Sequence, residues 1–268
     1  MSDYYYSWVY ILSVVVGLCV GSFLNVVIYR VPNKMSVIKP ASHCPNCGYV
    51  LKPKDIIPVI SYIMLHGKCR SCEAKISFRY TAVEILNAVM WLACALVFAH
   101  RSLLLSAVYM VLSSTIICIA FIDMDNQIIP DRFNLIILVL GILMCFLEPV
   151  TVTSRIIGMV AAGVFFIAIL GLSYFMFGRP GIGGGDIKLM IVSGLFLGWQ
   201  SLILAVIIGS LIGSIVLIII DRTKKKSTEA SSEKHELIEY PFGPFLALGI
   251  SIASLCGQPI ISWYLGLF

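Results

Sequence analysis

From Tyr4 to Tyr29 the chain runs 26 residues without a charged side chain. As a helix at ~1.5 Å per residue, that run is about 39 Å long, more than the ~30 Å hydrocarbon core of a bilayer. In lipid a backbone must bond its own polar groups, so an isolated apolar run of this length is readable only as a membrane-spanning helix. Only Ser2 and Asp3 lie between Met1 and the run. The basic leader of a signal peptide is missing, and the segment is expected to be retained. The rest of the chain repeats the pattern: 59% of the 268 residues are hydrophobic and 12% charged, against ~45–50% and ~25% in soluble domains. This balance excludes a water-soluble globule, a disordered or collagenous chain, and a secreted disulfide framework.

Further spans are expected at Tyr80 to Ala99, Ser102 to Ile122, Phe133 to Leu147, Ile156 to Phe177 and Phe242 to Leu267. An uncharged run of 32 residues, Leu189 to Ile220, is broken by Gly198-Trp199-Gln200-Ser201. Its reading as one helix or two is decided by charge. Of 19 Lys and Arg, nine fall between Arg30 and Arg79 and five between Arg222 and Lys234. By the positive-inside rule both loops are cytoplasmic. They share a side only if an even number of spans separates them, so the run is split and the total is eight, with both termini outside. The first half, Asp186 to Trp199, is short for a crossing and is expected to be tilted, partly unwound or set in a locally thinned bilayer.

The expected fold is therefore an all-α polytopic membrane protein of about eight transmembrane helices with a small zinc-binding cytoplasmic loop domain. Residues 1–29 form the first transmembrane helix, 30–79 the four-cysteine domain, and 80–268 a core of about seven helices with a cytoplasmic loop over 221–240. No internal repeat is visible in the residues. Lys224 to Glu239 reads as a solvated, charged linker.

Cys44-Pro-Asn-Cys47 and Cys69-Arg-Ser-Cys72 are two C-x-x-C pairs with 21 residues between them. Each pair supplies two thiolates from one tight turn, and the intervening chain folds back to close a tetrahedral site, the pattern of a zinc ribbon or knuckle. Four thiolates leave no open position for water, so the metal reads as a staple for a loop too small to build a core. His43 and His66 read as bystanders. Cys19, Cys94, Cys118, Cys145 and Cys256 lie singly in spans, where a thiol is a small hydrophobe.

Acids at or in apolar helices mark sites or pathways. Glu84, Asp123, Asp125, Asp131, Glu148 and Asp186 are the candidates. Asp125 and Asp131 suit a wet interfacial turn, and Glu148, beside Pro149, a solvated end. Asp186 follows Gly181-Ile-Gly183-Gly184-Gly185, a run expected to unwind, take positive φ and admit another chain closely. Asp123 ends span three and Asp186 begins span six, both at cytoplasmic depth. Two carboxyls at one depth suggest a dyad in which one keeps a proton while the other acts as base, an arrangement that activates water against a peptide carbonyl.

With these motifs in order the chain resembles the bacterial prepilin peptidases, or type IV leader peptidases, of the G-x-G-D intramembrane aspartic proteases. The resemblance rests on Gly21-Ser-Phe-Leu-Asn25-Val-Val-Ile-Tyr-Arg30, the paired C-x-x-C motifs, and Gly67-Lys-Cys69-Arg followed by Ile76, Arg79-Tyr80 and Glu84. It continues through Ile122-Asp123-Met-Asp125 with Gln127-Ile-Ile-Pro130, then Gly183-Gly184-Gly185-Asp186-Ile-Lys188, and Pro241-Phe-Gly-Pro244. It implies a peptidase of the bacterial cytoplasmic (inner) membrane that removes the basic leader of type IV prepilins or type II secretion pseudopilins. The cut falls at the cytoplasmic face, after Gly and before a hydrophobic helix that usually begins with Phe. Asp123 and Asp186 would be the catalytic pair, Asp125 auxiliary, and Gly183, Gly185 and Lys188 the rest of the motif. The resemblance also implies zinc on Cys44, Cys47, Cys69 and Cys72, and methylation of the new N-terminus with S-adenosylmethionine as donor. Where members carry Gly-Lys ahead of Arg-Tyr, this chain has Ser77-Phe78. No nucleic-acid partner is implied.

The alternative is a secondary transporter using the two aspartates as a proton or cation site. It would call for acids near the bilayer midplane and a repeat relating two halves. A zinc-stapled scaffold, in which the acids only bind partner helices, is a third reading.

Overall fold

The computed structural model describes residues 2–148, 151–228 and 241–266. Among them the chain is almost wholly helical, in nine α-helices. These are α1 (Ser2–Arg30), α2 (Ile60–Met64), α3 (Phe78–Phe98), α4 (Leu103–Asn126), α5 (Asp131–Leu147), α6 (Val152–Phe177), α7 (Gly184–Leu197), α8 (Trp199–Thr228) and α9 (Gly243–Leu265). Two compact units, 1–118 and 119–268, divide within α4.

In the first unit α1 and α3 run antiparallel at close range. A Cβ on Gly17 would stand 2.9 Å from the Ala88 Cα, and one on Gly21 2.7 Å from the Glu84 Cα. The four-residue spacing of the two glycines opens one face of α1 to backbone contact, the small-residue device of membrane helix pairs. Buried polar groups add specific links: Asn87 Nδ2 donates to the Gly17 carbonyl at 2.7 Å, Ser114 Oγ to Asn87 Oδ1 at 2.8 Å, and Trp91 Nε1 to Ser114 Oγ at 2.9 Å. At the other end of the pair, Tyr10 Oη and His100 Nε2 lie 2.8 Å apart.

The loop domain is fastened at both of its membrane ends. The buried Arg30 donates to the carbonyls of Ser36 (3.0 Å) and Pro40 (2.7 Å). Ser77, in the position where the resemblance would put Gly, caps α3 by accepting from the Arg79 N–H. Between these ends Pro58-Val59-Ile60 makes a γ-turn closed by a 2.6 Å bond from Ile60 N–H to the Pro58 carbonyl, with Val59 at φ 62 and ψ −50. That conformation is strained for a β-branched residue. It is held by the buried carboxylate of Glu84, which accepts the Val59 N–H at 2.8 Å.

In the second unit α7 is central, packing against α5, α6, α8 and α9. A Cβ on Gly158 would come within 2.7 Å of the Gly194 carbonyl oxygen and one on Gly194 within 2.6 Å of that of Gly158, so α6 and α7 touch backbone to backbone. The buried Arg155 of α6 bonds the Phe196 carbonyl at the end of α7, donates to Thr151 Oγ1 at 2.8 Å and pairs with Glu148 Oε2 at 2.8 Å. Glu148 is thus a partner of a buried guanidinium, where a solvated helix end was expected. An Arg at this depth needs its charge matched, and Glu148 supplies the match.

Among the described residues, six helices are long and apolar enough to cross a membrane: α1, α3, α4, α6, α8 and α9. The count of eight adds α5 and α7. With 17 and 14 residues they are about 26 and 21 Å long, shorter than the hydrocarbon core. Of the tilted, partly unwound or bilayer-thinning helix expected there, the unwound alternative is excluded: α7 is a regular helix, and seven of its 14 residues are buried. Its neighbours replace the lipid that a full-length span would have to meet. A second correction falls at 221–240. Helix α8 continues through Thr228, so the first eight residues of the expected loop are helical, and residues 229–240 lie outside the described residues. Extending an existing helix through Lys-rich sequence avoids a new nucleation step, and cations suit a helix C-terminus.

Candidate active site and metal centre

The candidate metal centre is built from two copies of one turn. Around Cys44, the Cys44 N–H bonds the Tyr49 carbonyl, the Gly48 N–H bonds the Cys44 carbonyl, and the Leu51 N–H bonds the Ser42 carbonyl. Around Cys69, Cys69 to Ala74, Glu73 to Cys69 and Ile76 to Gly67 repeat these three bonds at the same offsets. A local backbone repeat is thus present that the side chains conceal. Its fifth residue takes positive φ in both copies, Gly48 at 71 and Glu73 at 56. The two turns bring all four Sγ atoms within 4.8 Å of one another, with Cys44 and Cys72 at 3.9 Å and Cys47 and Cys69 at 4.0 Å. A tetrahedral ion with ~2.3 Å metal–sulfur bonds has an edge of roughly 3.8 Å, so the donor set fits zinc.

The neighbouring backbone prepares these thiols unequally. The N–H groups of Cys72 and Ser71 help hold Cys69 down to about 7. Cys47, which the Tyr49 N–H would lower, is pushed up to about 11 by desolvation and the three other sulfurs. His43 Nδ1 meets the Ala41 carbonyl at 3.1 Å, away from the cluster. Asp55, absent from the sequence reading, joins the two turns. It is buried and takes Arg70 Nε at 2.7 Å, Tyr49 Oη at 3.2 Å and the Lys52 N–H at 3.2 Å. Its only signal in the sequence was an acid, one of two with Glu73, in a basic loop.

The second site lies wholly in the second unit. Asp123, in the last turn of α4, and Asp186, in the first turn of α7, line one cavity of about 400 Å³ together with Gln127, Pro130, Gly183, Gly185 and Lys188. Left-handed Gln127 (φ 54) ends α4, and the chain returns through Ile128-Ile129 to Pro130, the cap of α5. Asp123 is 6% exposed, and its Oδ2 accepts the Gly243 N–H at 3.0 Å. That N–H belongs to the opening turn of α9, where the helix dipole favours an anion. Asp186 reaches back to accept the Gly183 N–H, the acidic half of a capping box. Its Oδ1 is buried without a hydrogen-bond partner. One oxygen is therefore anchored and the other available to a ligand.

The glycines serve closeness rather than left-handed turns. The close approach expected of this run is present, but none of Gly181, Gly183, Gly184 and Gly185 has the positive φ expected with it. A Cβ on Gly183 would lie 3.1 Å from Asp186 Oδ2, and one on Gly185 3.0 Å from the Ile129 Cβ, while one on Gly184 meets nothing within 4 Å. Positive φ appears instead at Gly178, which ends α6. Lys188 pairs with Asp131 Oδ1 at 2.8 Å. Asp125 is exposed and is not among the cavity's lining residues. Gly243, quoted within Pro241-Phe-Gly-Pro244 but assigned no role, is the residue the sequence reading missed. A Cβ there would stand 2.5 Å from Asp123 Oδ2.

Comparison with known proteins agrees over nearly the whole chain. Residues 15–98 match the Bacterial Peptidase A24 N-terminal domain and residues 110–218 the Type IV leader peptidase family. The chain is 32% identical to the prepilin leader peptidase/N-methyltransferase of Aeromonas hydrophila, over 97% of this chain and 94% of that protein. It is 33% identical to the type 4 prepilin-like proteins leader peptide-processing enzyme of Escherichia coli O78:H11, over 89% and 91%. It is 31% identical to the prepilin leader peptidase/N-methyltransferase of Pseudomonas aeruginosa, over 94% and 92%. No solved structure matches the chain. Two family profiles in series and relatives aligned almost end to end place the chain in the type IV leader peptidase family.

Proposed function

We propose that this chain is a membrane-embedded aspartic endopeptidase that removes the basic leader of type IV prepilins or type II secretion pseudopilins, with Asp123 and Asp186 as its catalytic pair. The observation that carries the reading is the shared cavity: acids from two helices, 63 positions apart in sequence, line one enclosure, and one of them keeps a buried, unpartnered oxygen. One carboxyl accepts a proton from water as the water attacks the scissile carbonyl carbon. The other donates a proton to the carbonyl oxygen, giving a neutral tetrahedral intermediate. Its collapse breaks the C–N bond as the first carboxyl gives its proton to the leaving amine and the second takes one back from a hydroxyl of the intermediate, so that both acids return to their starting states. The Gly243 and Gly183 N–H groups hold the two carboxylates in place without consuming their outer oxygens.

The basic loops, 30–79 and the region after Asp221, orient the site toward the cytoplasm of a bacterial inner membrane. Helices α5 and α7 serve as short crossings, for eight in all. Both acids lie in the end turns of their helices, which suits a junction at head-group level and leaves the transporter alternative without support. Cys44, Cys47, Cys69 and Cys72 would hold one structural zinc, which would cross-link the two turns of the loop. The names of the relatives support a second activity, methylation of the exposed N-terminus from S-adenosylmethionine. Among the described residues no β-strand leads into a glycine turn of the usual nucleotide-cradle kind.

The test uses the full chain in nanodiscs with a synthetic substrate bearing a basic leader, a Gly–Phe junction and about 20 apolar residues. Cleavage between Gly and Phe, abolished by Asp123→Ala and by Asp186→Ala and unaffected by serine-protease inhibitors, is the expected result. Full activity in either variant would rule out the pair. Mass spectrometry of the product amine reads methylation, and an unmethylated product in the presence of the donor would remove that activity.

A further inference from the structure

Among the described residues, four buried side-chain polar atoms lack any hydrogen-bond partner: both amide atoms of Asn134, Asp186 Oδ1 and Ser193 Oγ. All four sit on the two short helices, α5 and α7. A second cavity, of about 560 Å³, runs between the same two helices, walled by Asn134, Leu135 and Leu138 of α5 and Ile191 and Val192 of α7. Asp131 and Lys188, bonded to each other, line both this cavity and the one holding Asp123 and Asp186. The two cavities thus adjoin across that ion pair.

Beyond the charged residues Asp131, Arg132 and Lys188, the lining is aliphatic, except for Asn134. That residue is 6% exposed, and it offers both a donor and an acceptor that the protein does not use. An unsatisfied amide in a low-dielectric wall is costly, and acyl chains cannot satisfy it. A peptide group can, because it presents the complementary acceptor and donor. Asn134 is three residues beyond Asp131, about 4.5 Å further along α5, so a chain leaving the catalytic cavity through the groove meets it within its first turn. The first four N–H groups of any helix have no partner within that helix, and a helix that begins at a membrane surface has the fewest waters to supply them.

We infer that the α5–α7 groove binds the apolar segment that follows the scissile bond, with Asn134 hydrogen-bonded to peptide groups of its first turn. The inference rests on the peptidase reading above and adds a substrate subsite to it. Leu135, Leu138, Ile191 and Val192 receive the apolar side chains. Asn134 acts as a positioning residue that fixes the register of the cleavage point, and the Asp131–Lys188 pair marks the boundary between reacting and anchored portions.

The test is Asn134→Leu in the full chain, assayed on the same synthetic substrate. Removing an unsatisfied amide from an apolar wall should leave the melting temperature unchanged or raised, whereas a structural role would lower it. With the fold intact, KM should rise roughly threefold to tenfold, the worth of one or two lost hydrogen bonds. In parallel, a benzophenone photo-crosslinker in place of Leu138 should capture the first turns after the junction and not the leader. Wild-type KM in Asn134→Leu, or capture of lipid or leader only, would overturn the subsite. A wild-type chain that does not cleave the substrate would instead overturn the peptidase reading, so the two failures are distinguishable.

Discussion

Gly243 donates its backbone N–H to Asp123 Oδ2 at 3.0 Å from the first turn of α9, and a Cβ on Gly243 would stand 2.5 Å from that oxygen. The contact ties the C-terminal helix to an acid 120 positions earlier. Gly243→Ala should therefore displace the carboxylate while leaving the helices assembled. A misplacement approaching 1 Å costs on the order of 100-fold in rate. Cleavage kinetics together with an unchanged melting curve are the check, and near-normal kcat would show that Asp123 does not need this anchor.

The three glycines ahead of Asp186 should separate by contact. Gly184→Ala meets open space, gains helix propensity of up to about 1 kcal/mol, and should retain activity. Gly185→Ala presses on Ile129, and Gly183→Ala on the Asp186 carboxylate itself, so under the proposed mechanism both should lower kcat by tenfold or more, an order-of-magnitude figure for a displaced reacting group. Parallel assays of the three variants decide it, and equal losses in all three would point to a backbone requirement instead.

Asp55 gives the loop domain an acid limit. Burial alone would raise its carboxyl, but Arg70, the Lys52 N–H and Tyr49 together hold it below the ordinary carboxylate value. A folded value below the unfolded one means the stabilisation is complete above the unfolded value, ~3.9, and is lost as pH falls through the folded one. Asp55→Asn should make the loop roughly threefold to tenfold more susceptible to proteolysis at pH 7, from the weakened bonds to Arg70. The gap from wild type should narrow below about pH 4. A gap that widens in acid would reverse the sign of this argument.

The buried Arg155 should be costly to lose. Its guanidinium serves three acceptors at once: Glu148, Thr151 and the Phe196 carbonyl. Arg155→Ala removes the buried guanidinium that Glu148, Thr151 and the end of α7 share, with an expected loss of about 1–3 kcal/mol. Arg155→Lys should rescue little, because one ammonium cannot reproduce the planar fork. Melting temperatures in detergent measure both.

Much of this architecture is legible in the residues because membrane helices declare themselves one at a time. Charge-free runs located every long helix, and the C-x-x-C spacing located a cluster that needs only two tight turns. What stayed hidden depends on neighbours distant in sequence. The role of Gly243 required the fold of α9 against Asp123. The pairing of Glu148 required a guanidinium seven positions on to be buried rather than solvated. The glycine run suggested both positive-φ turns and close approach, and only the approach is found, because composition cannot distinguish a glycine that must bend from one that must make room.

Helix α7 is gripped at both ends by protein: Asp186 and Gly183 close its start, and Arg155 holds its final carbonyls. Its flanks are occupied by four other helices. The depth of Asp186 is consequently set by this bundle and not by the thickness of the surrounding lipid. Cleavage of a substrate held by the same bundle should then proceed at similar rates in vesicles of short- and long-chain phosphatidylcholine, whereas a reaction centre suspended directly in lipid would lose its alignment as the bilayer thickened.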